Sequence, residues 1–244
     1  MGNSLPVVKI VKVGTTYIAP SEQASNILLQ IKRDLGIGGG STVTLIEADR
    51  RILVDTGFDY ECLDTPVNDQ KNAGNLIWCL KDLDMVPDDI DVVFITHWHK
   101  DHFGNLGIFN KAERLAPNGI VERFGLKDFR GIENQEEITS GVRMILTPGH
   151  TIDHASLTVD TVAGGISARV TVAGDAIISH GYFDSGRIWQ YNGDFFSVEK
   201  ARQSLLHLID VSDIIIPGHG APFMAYKPPW MKSKYTKTQS KKSD

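Results

Sequence analysis

The sequence predicts an α+β fold, in which two mixed β-sheets are flanked by helices. Strand-like and helical patterns are mixed in both halves of the chain at hairpin-like spacing, which disfavours a strictly alternating βαβ arrangement. The 244 residues are 41% hydrophobic and 23% charged, which is ordinary for a globular chain with a large buried core. Because no linker interrupts this pattern, we expect one domain over residues 1–226 and a basic tail over residues 227–244.

The first half of the chain is expected to form four strands and one helix. Residues 7–13 alternate apolar and polar side chains, and two further runs on either side of Asp49 predict a hairpin. Apolar residues then recur at helical spacing until Pro87, which cannot continue a helix. This helix carries Cys79, which we expect in the core. The expected elements are strands at 7–13, 42–46, 51–54 and 91–96, and a helix at 72–84.

The second half repeats the mixture and then becomes rich in proline. Ser197 precedes a helical pattern, and its hydroxyl is suited to cap the first turn. The expected elements are strands at 141–147, 156–161, 169–173 and 214–216, and a helix at 197–210. Four prolines follow, and because proline lacks an N–H donor we expect them to stop regular structure beyond residue 216.

Charge is divided unevenly along the chain. Residues 1–226 carry a net charge of −10, whereas residues 227–244 carry six lysines and one acid. The acidic body excludes a broad basic face that grips nucleic acid by charge alone, and the tail is expected to be a solvated, flexible end. No apolar run is long enough to span a membrane, and the N-terminal residues lack a secretory pattern. We expect an unsecreted cytoplasmic or nuclear protein with free thiols.

Four apolar runs each end in a residue that can bind a metal. The runs VVFIT, MILTPG, VTVAG and DIIIPG lead into His97, His150, Asp175 and His219. Glycine stands directly before the last three of these residues, where it lets the backbone turn sharply or approach a ligand. Buried strands hold their ends firmly, so we expect these side chains to be well positioned.

The segment HWHKDH carries the strongest chemical signal. In an extended chain His97 and His99 point to the same side, and Asp101 and His102 follow as the chain enters a helix. Imidazole and carboxylate groups suit zinc, and they also suit iron or manganese. A single site needs three or four ligands, whereas the chain offers seven candidates: His97, His99, Asp101, His102, His150, Asp175 and His219. We therefore expect two divalent ions, with zinc favoured over iron or manganese. One carboxylate would be shared between the ions, and a bridging hydroxide would be the nucleophile.

These motifs, in this order, resemble those of the metallo-β-lactamase superfamily, and the resemblance spans residues 7–223. It implies an αββα sandwich with the metals at one edge of the sheets, and a catalytic domain over residues 1–226. It assigns His97, His99 and His150 to the first metal. It assigns Asp101, His102 and His219 to the second, with Asp175 bridging and Asp55 of LVDTG supporting the ligands from behind.

The stretches THWHKDHFGNLGIF, VTVAGD and IIPGHGAPF are similar to a small branch of that superfamily without an appended RNA-binding domain. This similarity implies a homodimeric cytosolic and nuclear hydrolase, an endoribonuclease that acts on messenger-RNA precursors. A thioesterase of the glyoxalase II type fits the motifs as well, although no helical glutathione-binding domain follows His219. A lactamase ranks third among the enzyme activities. The alternative that is not an enzyme is a scaffold in which the metals only stabilise a binding surface.

A few residues have expected roles around the metals. Asp101 or Asp175 would orient the attacking water, and His180 would donate a proton to the leaving group. Trp189 and Tyr191 could form a stacking platform for a base. His154 and Trp98 are expected to be structural, because His150 already fills the ligand position and Trp98 alternates away from the metal side.

Overall fold

The computed structural model describes residues 5–16, 40–59 and 66–232, so Cys62 lies outside the described residues. Within these ranges the chain forms two six-stranded sheets, with strand orders β1-β2-β3-β4-β5-β6 and β12-β11-β10-β9-β8-β7. The first sheet consists of β1 Val7–Lys12, β2 Val43–Glu47, β3 Arg51–Val54, β4 Val92–Phe94, β5 Glu113–Pro117 and β6 Phe129–Ile132. The second consists of β7 Glu137–Thr139, β8 Val142–Leu146, β9 Ala155–Ala163, β10 Ile166–Gly174, β11 Ile214–Pro217 and β12 Phe223–Met224.

Both sheets are mixed. In the first, β1, β2 and β3 pair antiparallel and β3 to β6 pair parallel. In the second, β7 to β10 are antiparallel, β10 and β11 are parallel, and β12 returns antiparallel. The described helices are α1 Pro66–Lys81, α2 Lys100–Phe103, α3 Asn118–Phe124, α4 His180–Ser185, α5 Val198–Val211 and α6 Pro229–Lys232.

The fold has four layers, helices, sheet, sheet and helices, and an apolar cluster lies between each pair of neighbouring layers. One cluster lies between the sheets and joins residues such as Val92 and Phe94 to Leu157 and Val172. A second packs α1 and α3 on the outer face of the first sheet, and a third packs α5 on the outer face of the second sheet. Where a strand is covered on both faces it is apolar throughout, as in β4, whereas the later half of β9 alternates between buried and exposed residues. The architecture is the expected αββα sandwich.

The predicted elements agree with the structure in their centres and differ at their ends. Ser197 caps α5 as expected, accepting a hydrogen bond from the Lys200 backbone N–H. The first long helix starts earlier, at Pro66, and ends at Lys81, because Asp84 adopts a left-handed conformation with φ 55°. Cys79 in this helix is only partly buried, since it lies at the margin of the outer cluster.

The prediction that regular structure stops beyond residue 216 is wrong. The strand β12 pairs Phe223 with Ile215, because no proline occupies either paired position of this short ladder. Pro229 opens α6, a position where its missing N–H costs nothing. Trp230 of α6 packs against the α5 cluster, so part of the chain from residue 227 contacts the domain. Residues 233–244 lie outside the described range.

The fold brings the carboxyl ends of several strands to one edge. The ends of β3 and β4 adjoin in the first sheet, as those of β10 and β11 do in the second. Backbone hydrogen bonds join the two sheets there, from Ala155 N to Thr96 O at 2.9 Å and from Thr42 N to Gly218 O at 2.7 Å. Of the helices described, none has the length and apolar character needed to cross a membrane.

Candidate metal centre

The HWHKDH segment leaves β4 and turns into α2. His97 and His99 lie on the extended part, and the first turn of α2 presents Asp101 and His102. The backbone N–H groups of His102 and Phe103 donate to the His99 carbonyl at 2.9 and 3.1 Å, which fixes this turn. Trp98 faces the other way and stacks on Phe103 with ring centroids 4.1 Å apart, so it serves packing, as expected.

The first cluster gathers three imidazoles and a carboxylate. Nδ1 of His99 lies 2.9 Å from Nε2 of His97 and 3.1 Å from Nε2 of His150. Oδ2 of Asp175 lies 3.2 Å from His150 Nε2 and 3.9 Å from His97 Nε2. All four residues are buried, and one ligand atom of each falls within 4.8 Å of every other. This is the set that the resemblance assigns to the first metal, with Asp175 added.

The second cluster shares that carboxylate. Asp101, His102 and His219 form a buried group whose ligand atoms also lie within 4.8 Å of one another. Asp101 Oδ2 is 3.6 Å from His102 Nε2 and 3.3 Å from His219 Nε2. Oδ1 of Asp175 lies 3.3 and 3.4 Å from the same two nitrogens. The two oxygens of Asp175 therefore face different clusters, which is the geometry of a bridging ligand.

Buried polar atoms that lack hydrogen bonds show that these residues fit cations. Both carboxylate oxygens of Asp101, Nε2 of His102 and Oδ1 of Asp175 are buried with no hydrogen-bond partner among the described residues. More than nine-tenths of buried polar groups in proteins find a partner, so several such atoms in one place need an explanation. Nitrogen and oxygen donors that converge in this way suit zinc and similar divalent ions. The residues present fit a two-ion centre.

Asp55 holds His102 from behind the second cluster. Its Oδ2 lies 2.7 Å from Nδ1 of His102, which leaves Nε2 of that ring for the centre. The backbone N–H and the hydroxyl of Thr96 each donate to the Asp55 carboxylate at 2.9 Å. Asp55 adopts φ 59°, a left-handed conformation that aspartate tolerates better than most residues. The supporting role that the resemblance gives Asp55 matches this contact.

Other ligand imidazoles are oriented in the same way. Nδ1 of His219 lies 3.0 Å from the Gly40 carbonyl. Nε2 of His99 lies 2.9 Å from Oδ1 of Asp194, which also accepts from Asn192 at 2.8 Å. Sequence reasoning missed Asp194 and Asn192, because they carry no motif of their own and lie in a distant loop, with Asp194 95 residues from His99. Such outer contacts fix the tautomer and orientation of metal-binding histidines.

Burial favours the neutral form of two imidazoles in the first cluster. It holds the pKa values of His97 and His150 well below the ordinary histidine value, and neighbouring imidazoles act in the same direction. His154 is also buried, which lowers its pKa to about 3, and its Nδ1 lies 2.8 Å from the Thr147 hydroxyl. Neutral imidazole is the form that binds a metal. The contact with Thr147 agrees with the structural role expected for His154.

In the second cluster, carboxylates and imidazoles favour one another's charged forms. Burial opposes the charge of His102, but the surrounding carboxylates, led by Asp101, raise its pKa well above the ordinary value. Burial also opposes the charge of His219, whose pKa Asp175 raises. In turn the imidazoles, led by His219, overcome burial and hold the pKa of Asp175 well below its usual range. A cation that binds here replaces protons, so its binding releases them.

Glycine is required beside the shared carboxylate. A Cβ atom on Gly218 would lie 1.9 Å from Oδ1 of Asp175. Gly174 adopts φ 51°, and a Cβ there would lie 2.9 Å from Nε2 of His154. The expectation that glycine permits close approach at the strand ends is correct at both positions.

The remaining predicted residues lie outside the two clusters. His180 is exposed, with Nε2 3.2 Å from the Tyr226 hydroxyl and its ring 4.6 Å from that of Phe223. Trp189 and Tyr191 meet edge to face with centroids 5.0 Å apart. Trp189 also lines a narrow cavity beside His150 and Asp175, which places one ring of the expected platform next to the centre. The proton-donor role of His180 stays a prediction.

Comparison with known proteins agrees with this geometry. The model of the metallo-beta-lactamase superfamily matches residues 36–219. The chain is 31% identical over 220 residues to metallo-beta-lactamase domain-containing protein 1 of Xenopus laevis, covering 87% of this chain and 86% of the frog protein. It is 29% identical over 163 residues to thioesterase pkgB of Emericella nidulans, covering 62% of this chain and 42% of that protein.

A solved structure supports the fold. An N-acyl homoserine lactone hydrolase, with product bound at its catalytic metal centre, aligns with a TM-score of 0.60 at 19% identity, covering 96% of this chain and 97% of the other. The four-layer sandwich with paired His/Asp clusters at the sheet edge is the class of structure found in metal-dependent hydrolases. The chain belongs to the metallo-beta-lactamase superfamily, which confirms the resemblance of its motifs.

Proposed function

We propose that this protein is a dinuclear metal hydrolase that cleaves phosphodiester bonds inside RNA. The observation that carries the hydrolase part is the Asp175 carboxylate, whose two oxygens face two separate clusters of buried ligands. His97, His99 and His150 would hold one ion with Asp175, and the remaining cluster would hold the other. Divalent ions bound here would lower the pKa of water and polarise an oxygen of the phosphorus centre that is attacked.

The protein's own residues prepare the centre in two ways. Asp55 and Asp194 fix the rings of His102 and His99, so the ligand nitrogens point inward before anything binds. Within the described ranges the buried oxygens of Asp101 have no hydrogen-bond partner, so they can accept a hydrogen bond from a water molecule and orient it. His180 is proposed as the proton donor to the leaving group, although it lies on the surface beside Tyr226.

RNA is the proposed substrate for two reasons. The motif resemblance implies an endoribonuclease, and the aromatic pair Trp189 and Tyr191 adjoins the cavity that reaches His150 and Asp175. Aromatic rings stack on bases without regard to sequence, and each stacked base contributes about 1–3 kcal/mol. The acidic body requires that RNA be held locally, near the centre, rather than by a wide basic surface.

A thioester is the second candidate substrate, since one relative is named a thioesterase. The same pair of ions would polarise a thioester carbonyl, and the acidic body presents no obstacle to a small substrate. From the motif resemblance we also keep the proposals of a homodimer and of a cytoplasmic or nuclear location. Light scattering of the purified chain would test the dimer by giving its mass directly.

The test uses the purified chain, loaded with zinc or manganese, and an RNA with both ends blocked. Cleavage that stops with a chelator and returns with metal is expected, and blocked ends ensure that only internal bonds are cut. Asp175→Asn should abolish cleavage and lower the metal content. Asp210→Asn is the matched control. Asp210 is an exposed residue of α5 whose carboxylate lies 4.0 Å from Nζ of Lys227, away from the metal centre.

Three results would decide against the proposal. Hydrolysis of S-lactoylglutathione by the loaded protein, with the blocked RNA left intact, would favour the thioesterase. Two firmly bound ions with neither activity would favour a metal-stabilised scaffold. Full cleavage by a metal-free preparation of the Asp175 variant would remove the hydrolase mechanism altogether.

A further inference from the structure

A groove of about 300 Å³ lies between the loop that follows α4 and the start of α5. Its lining includes Tyr182, Arg187, Tyr191 and Arg202. It is therefore aromatic and basic, within a body whose net charge over residues 1–226 is −10. We call it the arginine groove.

The two arginines of the groove have no carboxylate partner among the described residues. Guanidinium groups elsewhere in the structure commonly pair with acids: Arg50 with Glu113, Arg123 with Asp153, Arg143 with Glu137 and Arg169 with Asp160. Arg187 instead lies over the Tyr182 ring at 5.3 Å, and Arg202 over the Trp230 ring at 5.8 Å. Stacking of this kind leaves the N–H edge of the guanidinium free to donate to an anion.

Nearby acids do not neutralise these arginines. The Asp184 carboxylate accepts a hydrogen bond from the Tyr226 hydroxyl at 2.7 Å, and Glu199 accepts one from Gln203 at 3.2 Å. Neither forms an ion pair with Arg187 or Arg202 in the described part of the chain. Two uncompensated positive charges therefore share one concave surface, where the surrounding protein concentrates their field.

The arginine groove shares lining residues with a cavity beside the metal centre. Tyr182 and Arg187 line both the arginine groove and the narrow cavity that reaches His150 and Asp175. Trp189 borders that cavity, and its ring meets Tyr182 at 5.8 Å and Tyr191 at 5.0 Å. Tyr182 and Arg187 thus connect the arginine groove with the small cavity whose lining includes the ligands His150 and Asp175.

We propose that the arginine groove binds the nucleotides next to the scissile bond, with Arg187 and Arg202 on backbone phosphates and the tyrosine and tryptophan rings on bases. This inference rests on the proposed function, since it names the part of the chain that would hold an RNA substrate. Guanidinium and phosphate match in geometry as well as in charge, and the rings accept any base. The groove supplies the local grip that the acidic body otherwise lacks.

The experiment measures binding rather than cleavage. The zinc-loaded full chain is titrated with a fluorescein-labelled single-stranded RNA octanucleotide, and affinity is recorded against salt concentration. The variant Arg187→Gln/Arg202→Gln should weaken binding by about tenfold for each arginine, the usual effect of losing a charged hydrogen bond. The slope of log K against log[salt] should fall by about 0.7 per lost phosphate contact.

A matched control removes the same charge elsewhere. Arg143→Gln/Arg169→Gln removes one arginine from β8 and one from β10. Both arginines lie in the first half of their strand, whereas His150 and Asp175 follow the opposite ends of these strands. This control should bind the octanucleotide close to wild-type strength. Zinc content should be unchanged in both double variants, which shows that the centre is intact.

The outcomes separate this inference from the proposed function. If the wild-type protein binds the octanucleotide through the groove and leaves RNA uncut, the endoribonuclease is wrong and the groove stands as a nucleotide site. If RNA is cut and the groove variant binds as tightly as the control, the groove inference is overturned while the activity stands. Equal losses in groove and control variants would also overturn it, because charge alone would explain them.

Discussion

The substitution Gly218→Ala tests the role of Asp175 through sterics alone. Gly218 does not adopt a positive φ, so alanine brings no backbone strain of that kind. Its Cβ would nevertheless lie 1.9 Å from Oδ1 and 3.1 Å from Cγ of Asp175. An ordinary contact needs about 3.5 Å, so the carboxylate oxygen must move by well over 1 Å.

That movement decides metal binding. Zinc–oxygen bonds are about 2.0–2.2 Å long, so a bridging carboxylate displaced by more than 1 Å cannot bind both ions. Mutation of residues that only support a metal ligand typically lowers metal affinity about 10–100-fold. Displacement of the ligand itself should lower the affinity of this protein for zinc by more than about 100-fold. Titration against a chromophoric chelator measures both the number of zinc ions and their affinities.

Controls separate this effect from unfolding. Gly107→Ala is the matched variant, because a Cβ at that position meets nothing within 4 Å. Circular dichroism should show wild-type secondary structure for both variants. If Gly218→Ala binds two zinc ions with wild-type affinity, the bridging role of Asp175 is refuted.

Further predictions concern the support of the ligands and the stability of the fold. Asp55→Asn weakens the acceptor opposite Nδ1 of His102, so one zinc should bind about 10–100-fold more weakly in a chelator titration, while wild-type affinity at both sites would contradict that support. Gly74→Ala, in α1 with nothing within 4 Å, should raise the free energy of unfolding by about 0.5–1 kcal/mol in urea, and a loss would show a hidden clash. The hydrogen bond from Arg130 is the main reason that the pKa of Glu113 is lower in the folded chain than in the unfolded chain. The ionised carboxylate therefore stabilises the fold above its unfolded pKa, and this stabilisation is lost as pH falls through the folded pKa. Arg130→Gln should therefore destabilise the chain by less than about 1 kcal/mol at pH 7, and the difference should shrink as pH falls through the lowered pKa of Glu113. A difference that stays constant with pH would contradict the pairing. Excess chelator should lower the melting temperature of the loaded protein, since zinc at 100 times its dissociation constant adds about 2.7 kcal/mol.

The fold could be predicted as far as local pattern reaches. Apolar runs such as VVFIT identified the strands that supply the core, because central strands covered on both faces must be apolar throughout. Element ends were less predictable. The end of the first long helix depends on the left-handed turn at Asp84, and α6 begins at Pro229, which sequence reasoning treated only as a breaker.

The metal ligands were more predictable than the residues that support them. HWHKDH concentrates four candidates in six positions, and each of the other three follows a glycine at the end of an apolar run. Asp194 has no such signature. Its contact with His99 exists only because the loop before α5 folds over the first cluster, and no periodicity reports that distance.

The arginine groove follows the same logic at a longer range. Arg187 lies in a loop and Arg202 on α5, and in the sequence neither differs from the paired surface arginines. What distinguishes them is that they stack on the rings of Tyr182 and Trp230 and have no carboxylate partner in the part of the chain that the structure describes. The metal ligands at the strand ends can therefore be identified from the sequence pattern. The substrate that reaches the metal centre depends instead on the tertiary packing of loops and helices, which the sequence pattern does not show. Substitutions in the groove should change substrate affinity without changing metal content, and substitutions at the strand ends should change both.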